Sequence, residues 1–231
     1  MRRIWSDPRL RSVVTASVTL GLATGVFAVS FGVLAVSAGA SMAQTCVMSL
    51  LVFTGASQLS AVSVIGAGGS AGSALGGALL LAARNGVYGL TMAGRMRGRL
   101  ATRLVAAHVT IDESTAMSSA QEDPEAQRIA FWITGIGIYV FWNIGTLVGA
   151  LAGDAIDPEK YGLDGAFPAA FVAMLWPLLR TRRGRLAAVL GAVISLATIP
   201  FVPLGVPLLC ATLAIAVGIP AEPPDAAERA P

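Results

Sequence analysis

Charge is what this sequence has least of. Asp, Glu, Lys and Arg make up 13% of its 231 residues, about half the fraction usual in soluble domains. From Ser12 to Ala83 there is no charged residue and no histidine. Lys160 is the sole lysine and His108 the sole histidine. The two cysteines, Cys46 and Cys210, stand far apart in apolar runs. No Cys/His spacing resembles a metal motif, and both cysteines read as small buried apolar residues. No His-Glu-x-x-His or Walker pattern occurs, which argues against zinc-protease or nucleotide-driven chemistry in this chain. Asp164 follows Gly162-Leu163 rather than Gly-x-Gly, so an intramembrane aspartyl protease is disfavoured too. No cofactor is implied. The pI near 9.3 does not point to nucleic acid, because the arginines cluster beside apolar segments and no basic face alternates with aromatics.

What is present is apolar sequence: 55% hydrophobic residues and a mean hydropathy of +0.72. At ~20 residues per spanning helix, the run from Ser12 to Ala83 holds roughly three spans. The composition predicts an all-α fold, a polytopic transmembrane bundle of about seven to eight segments embedded in a lipid bilayer.

Residues 1–11 carry Arg2, Arg3, Arg9 and Arg11 and read as a cytoplasmic N-terminus. The apolar run after them far exceeds the ~7–15 residues of a signal-peptide core, so it reads as an uncleaved span. The first transmembrane half covers 12–120. Its first span, Val13 to Val36, holds Gly21 and Gly25 in the spacing that lets helices approach closely. A second apolar segment, Thr45 to Ile65, is interrupted by Thr54-Gly55-Ala56-Ser57-Gln58. Two readings stand: a continuous helix with a polar packing face, or a broken, re-entrant helix whose freed backbone lines a cavity. A third segment, Leu75 to Met92, contains Arg84 and Asn85, and a basic cluster follows at Arg95, Arg97, Arg99 and Arg103. Leu104 to Ser119, with His108, Asp112 and Glu113, is too polar for a lipid-exposed span. It reads as a shielded span or an amphipathic interfacial helix, with His108 at the interface.

A polar linker at 121–128 separates the second half, 129–219. It opens with a span at Ile129 to Leu151, where Gly145, Gly149 and Gly153 repeat every fourth residue. An acidic loop at 154–164, a segment at Gly165 to Leu179, the cluster Arg180, Arg182, Arg183 and Arg185, and two segments at Leu186 to Val202 and Leu204 to Ile219 follow. The Pro-rich tail, 220–231, reads as disordered. Thr54-Gly55-Ala56 and Asp164-Gly165-Ala166 suggest a weak repeat of the two halves. The topology contains a conflict. Three full spans before Arg95 would put a basic cluster on the side opposite the basic N-terminus, against the positive-inside tendency. Either 104–119 spans, or one of the first three segments is re-entrant.

Arg84 is the most informative charge, because a cation within an apolar run faces a partner or a cavity, or snorkels to the interface. It suits a carboxylate-binding or gating role facing Asp112, Glu113 or Asp164. A carboxylate shielded in a bundle is a candidate proton carrier. Ser57 and Gln58 suit a zwitterion's charged ends, and suit helix–helix hydrogen bonds equally.

Four pieces of this sequence, Phe53-Thr-Gly-Ala-Ser-Gln58, Arg84-Asn-Gly-Val-Tyr-Gly89, Asp112-Glu-Ser114 and Leu163-Asp-Gly-Ala-Phe167, together resemble the AzlC family of azaleucine-resistance proteins and branched-chain amino acid exporters. The family often has Asn-x-Arg-His before Tyr-Gly, where this chain has Ala82, Arg84 and Asn85, and Phe-Thr where it has Phe167-Pro168. The resemblance implies a multi-pass inner-membrane exporter of hydrophobic amino acids, not an enzyme, working with a small AzlD-like membrane partner. On this reading Thr54, Ser57, Gln58, Arg84, Asn85 and Tyr88 form the substrate-binding set, and Asp112, Glu113 and Asp164 the proton-coupling set. The alternative is a membrane scaffold subunit with no pathway of its own.

Overall fold

The structure is a computed structural model that describes residues 7–96, 98–153, 160, 162, 165, 169, 172, 175–176 and 178–218. Every regular element among them is helical: α1 Pro8–Ser37, α2 Met42–Leu51, α3 Gly55–Gly66, α4 Ala71–Ala93, α5 Leu100–His108, α6 Asp112–Ser119, α7 Pro124–Ala152, α8 Arg182–Thr198, α9 Val206–Ala211 and α10 Ile215–Gly218. Short 3-10 turns precede α8 and join α9 to α10.

Two long helices form the spine. α1 has 30 residues and α7 has 29, about 45 Å each at 1.5 Å per residue. Both are long and apolar enough to cross a membrane. They run parallel. Ser17 accepts a hydrogen bond from Thr134 at 2.8 Å, Gly25 lies against Phe141, Gly32 against Gly149, and Val36 against Gly153. The glycine ladder makes this contact: a Cβ on Gly32 would collide with the Thr146 carbonyl, one on Gly145 with the Gly25 carbonyl, and one on Gly149 with the Val29 carbonyl. Without side chains at these positions the two backbones touch, and close backbone approach is a main source of helix association in lipid.

The interrupted segment at 45–65 is broken, and the break reverses the chain. Ser41 caps α2 reciprocally with Gln44, next to the end of α1. α2 descends beside α7, where Ser49 donates to Thr146 at 3.1 Å. Val52 and Thr54 leave helical geometry, and α3 climbs back until Gly66 sits beside Ala38. Both ends of this hairpin therefore lie at the C-terminal end of α1. Its tip lies at Tyr139 and Trp142, opposite the middle of α1. At 10 and 12 residues, each arm is about 15–18 Å long, half the thickness of a bilayer core.

α4 then runs the other way. Leu208 and Leu209 of α9 cover Gly77 and Gly76 near its start, while Met92 and Met96 pack with Phe131 near its end. The polar segment 104–119 is neither a full span nor a single interfacial helix. It is a second hairpin, entering from the opposite end of the spine. α5 rises until Val109 meets Gly135, the chain turns through Thr110 and Ile111, and α6 returns to the level where Arg95 donates to Ser119 at 3.1 Å. His108 is thereby corrected from an interfacial position to the hairpin tip. Arg9, Arg11, Arg95, Arg99, Arg103 and Arg128 all fall at this end, while the turns 38–41 and 67–70 at the other end carry no charge. The topological conflict disappears, because Thr45–Ile65 does not cross and α4 brings the chain back to the basic end.

The polarity of the bundle is inside out. Gln58, Ser17, Ser49, Ser114, Thr134 and Thr146 are fully or almost fully buried, whereas Val26 is 74% and Leu90 80% exposed. In water such a distribution exposes far more apolar surface than soluble proteins tolerate. In lipid it is the stable one, since apolar groups face the tails and polar groups find partners inside. Expectations for residues 154–159 and 163–164 fall outside the described residues, as do those for most of Gly165 to Leu179 and for the tail.

Candidate functional site

Breaking a helix inside a bundle frees backbone groups that need partners, and the two hairpin tips solve this differently. At the second tip Ser114, fully buried, accepts from the Ile111 amide at 3.0 Å and donates to the Val109 carbonyl at 2.8 Å. Thr110 donates to the Ala106 carbonyl at 2.7 Å. Asp112 and Glu113 stand in the first turn of α6, where the helix dipole favours negative charge.

At the first tip Gln58 spans the break. Its amide nitrogen donates to the Met48 carbonyl at 3.1 Å, and its amide oxygen accepts from the Trp142 indole at 3.0 Å. One side chain thus ties α2, α3 and α7 together. Thr54 and Ser57 lie 3.3 Å apart through their hydroxyls. Thr54 makes no side-chain cap on α3, so the first amides of α3 have no hydrogen bond from it. Gly55 lets Trp142 sit against the tip, since a Cβ there would lie 2.6 Å from the indole.

The two tips meet. The rings of Phe53 and His108 are 6.0 Å apart, and Tyr139 packs edge-on against both, at 5.1 and 5.3 Å. On α4, Arg84 places its guanidinium 2.8 Å from the Asp112 carboxylate. The antiparallel register of α3 and α4, with Gly77 opposite Ser60, brings Arg84 level with Thr54. That contact runs from Arg84 Nη2 to Asp112 Oδ2, while Arg84 Nε and Asp112 Oδ1 are buried and make no hydrogen bond among the described residues. Tyr88, one turn along α4, faces Asp112, and Glu113 shares the electrostatic neighbourhood of Arg84 and Asp112.

The sequence-derived candidates therefore fall into two groups at one level. Arg84, Tyr88, Asp112 and Glu113 come together between α4 and α6. Thr54, Ser57 and Gln58 gather at the first tip. Asn85 is half-buried on α4 and is not hydrogen-bonded to the ion pair. Asp164 lies outside the described residues. Sequence reasoning missed Trp142, Phe53 and Tyr139 as partners of the tips, because an aromatic in an apolar helix carries no signal of what it touches. No group of three or more potential metal ligands exists among the described residues.

This is the architecture of a helical membrane protein built around polar groups inside its bundle. The chain belongs to the AzlC family: the AzlC protein family pattern matches residues 19–156, nearly all of α1 through α7, both hairpins and the ion pair included. It is similar to an uncharacterized membrane protein of Helicobacter pylori, 27% identical over 183 residues, 78% of this chain and 79% of that one. It is also similar to an uncharacterized membrane protein of Archaeoglobus fulgidus, 32% identical over 173 residues, 74% of this chain and 75% of the relative. No solved structure matches the chain. The family and these relatives support a membrane location and a role in transport rather than catalysis.

Proposed function

We propose that this chain is the transporting subunit of an exporter for branched-chain or similar apolar amino acids in the bacterial inner membrane, coupled to the proton gradient and working with a small AzlD-like membrane protein. The observation that carries the reading is the Arg84–Asp112 pair at the level where two oppositely inserted hairpins meet. An amino acid is itself a paired carboxylate and ammonium. Its carboxylate takes the place of Asp112 on Arg84, and its ammonium takes the place of Arg84 on Asp112. The exchange leaves no buried charge unpaired, which is the condition for charge to reside at membrane depth. The hydroxyls of Thr54 and Ser57 and the amides opening α3 supply further donors, as half-helix N-termini do in other transporters. Gln58 holds the tip, Tyr88 and Asn85 flank the pair on α4, and the Phe53–His108–Tyr139 cluster offers an aromatic wall for the apolar side chain.

The basic end is taken as cytoplasmic by the positive-inside tendency. The two hairpins are then re-entrant, one from each side, and each can gate access from its own side. Asp112 carries the coupling proton, with Glu113 and Asp164 as further carriers.

The test is counterflow of leucine, valine and methionine in proteoliposomes holding this chain, with and without its partner and with and without a protonophore. Saturable leucine flux that depends on the gradient and falls more than tenfold in Arg84→Ala is expected. No flux of any of the three, with both proteins present in the membrane, overturns the substrate assignment.

A further inference from the structure

At the basic end of the spine, α1 and α6 both pack on α7, and the wedge between them is not filled. It holds an open cavity of about 520 Å³, whose lining includes Arg9, Ser12, Val13 and Ala16 of α1, Met117 of α6, and Gln121 just beyond α6. That volume falls within the ~300–1,000 Å³ usual for small-molecule sites.

The lining is ordered. Ser12, Val13 and Ala16 lie three, four and seven residues beyond Arg9, so all four share one face of α1. Along that face the charge comes first, then the hydroxyl, then the apolar groups, over about 10 Å of helix rise. The facing wall has the same order, with Gln121 at the basic end and Met117 one turn deeper. That wall is held in place. The Gln121 side-chain nitrogen donates to the Met117 carbonyl at 3.3 Å, and its backbone carbonyl accepts from Gln127 at 2.8 Å. Both walls therefore change from polar to apolar in one direction, from the basic end toward the middle of the bundle.

Depth fits this gradient. At about 45 Å, α1 matches the hydrocarbon core plus both headgroup layers, ~40–45 Å. Arg9, in its first turn, then stands at headgroup level, and Ala16 stands where acyl chains begin. The carboxylates of Asp7 and Asp123 are engaged as helix caps, accepting from the Arg9 amide at 2.9 Å and the Ala126 amide at 2.8 Å. A guanidinium offers phosphate a two-pronged set of donors. A free phosphate would use Arg9 and leave the apolar floor bare, and an uncharged oil would do the reverse. An amphiphile with a phosphate above and methylenes below satisfies both ends.

We infer that this wedge binds one phospholipid. Its phosphate sits on the Arg9 guanidinium, its glycerol and ester oxygens face Ser12 and Gln121, and the first methylenes of an acyl chain lie against Val13, Ala16 and Met117. Basic pockets between spanning helices take lipid headgroups in this way. The bound lipid completes the packing between α1 and the second hairpin. This site does not depend on the transport reading.

The test is native mass spectrometry of the delipidated full chain, titrated separately with phosphatidylglycerol, with a diacylglycerol of the same chains, and with glycerol 3-phosphate. One phosphatidylglycerol is expected to bind more tightly than either fragment. Arg9→Gln should weaken it about fivefold, the worth of one arginine near an anionic surface. Ala16→Trp, which fills the floor, should weaken it at least as much. Arg103→Gln, an exposed arginine of the same end outside the cavity, should leave it within twofold. Arg9, Ala16 and Arg103 are all exposed, so size-exclusion chromatography should show three folded variants. Equal binding of phosphatidylglycerol to all four proteins would mean unspecific lipid contact and overturn the site. Diacylglycerol binding as tightly as phosphatidylglycerol would overturn the role of Arg9. Glycerol 3-phosphate binding as tightly would make this a site for soluble phosphates and overturn the lipid assignment.

Discussion

Trp142 of α7 donates its indole N–H to the Gln58 side-chain oxygen at 3.0 Å, while the Gln58 nitrogen reaches back to the Met48 carbonyl at 3.1 Å. A single amide thus fixes both arms of the first hairpin to the spine, at a residue with no exposed surface. The local dielectric is low there, so a lost partner leaves an expensive orphan.

The first prediction follows from that relationship. Gln58→Leu and Trp142→Phe should each destabilise the folded protein by about 1–3 kcal/mol, the cost of leaving the other partner buried and unpaired. The double variant should cost less than their sum, because the orphan created by one change is removed by the other. Thermal unfolding of the four proteins in detergent tests this. Strict additivity would show that the two side chains are not coupled.

The α1–α7 contact is backbone on backbone, so glycine substitutions should divide sharply. Gly149→Ala or Gly32→Ala forces the helices apart and should cost about 1–3 kcal/mol or more. Gly86→Ala and Gly89→Ala meet nothing within 4 Å and should be neutral or stabilise by up to about 1 kcal/mol, since alanine is the better helix former. The folded fraction by size-exclusion chromatography distinguishes the two sets. Equal behaviour would count against the parallel spine.

Breaking the ion pair should cost more than exchanging it. Arg84→Ala and Asp112→Ala each leave a charge unpaired in the bundle and should lower the yield of folded protein. The exchanged pair Arg84→Asp/Asp112→Arg should recover stability, but leucine flux should stay at least tenfold reduced, because the anion site would move from α4 to α6. Recovery of flux together with stability would show that the pair is structural only.

At the first tip, Gly55→Ala places a methyl 2.6 Å from the Trp142 indole and should displace the start of α3. Weaker leucine binding, by about fivefold, together with a lowered unfolding temperature is expected, since the methyl meets the Trp142 ring that ties the tip to α7. Scintillation proximity binding on the purified protein reads this directly. Unchanged affinity would separate the α3 N-terminus from the substrate.

Much of the fold was legible in the sequence. The uncharged run from Ser12 to Ala83 requires apolar surroundings, and the glycine spacing around Gly25 and Gly149 anticipated close helix contact. Arg84, Asp112 and the Thr54–Gln58 cluster stood out because polar groups in apolar sequence must be partnered. Which partners they take was not legible. Asp112 is 28 residues from Arg84 and Trp142 is 84 from Gln58, and no local pattern links positions so far apart.

The sequence by itself determined an all-helical chain suited to lipid, with a few polar groups too costly to face it, because composition and the lengths of apolar runs decide those matters locally. Tertiary structure alone decided that 45–65 and 104–119 double back instead of crossing, that the hairpins enter from opposite ends, and that their tips converge on Arg84. A polar break in an apolar segment is compatible with either a kinked span or a reversal. The choice depends on whether other helices can satisfy the freed backbone and side-chain groups, and here Gln58, Ser114 and Trp142 do so.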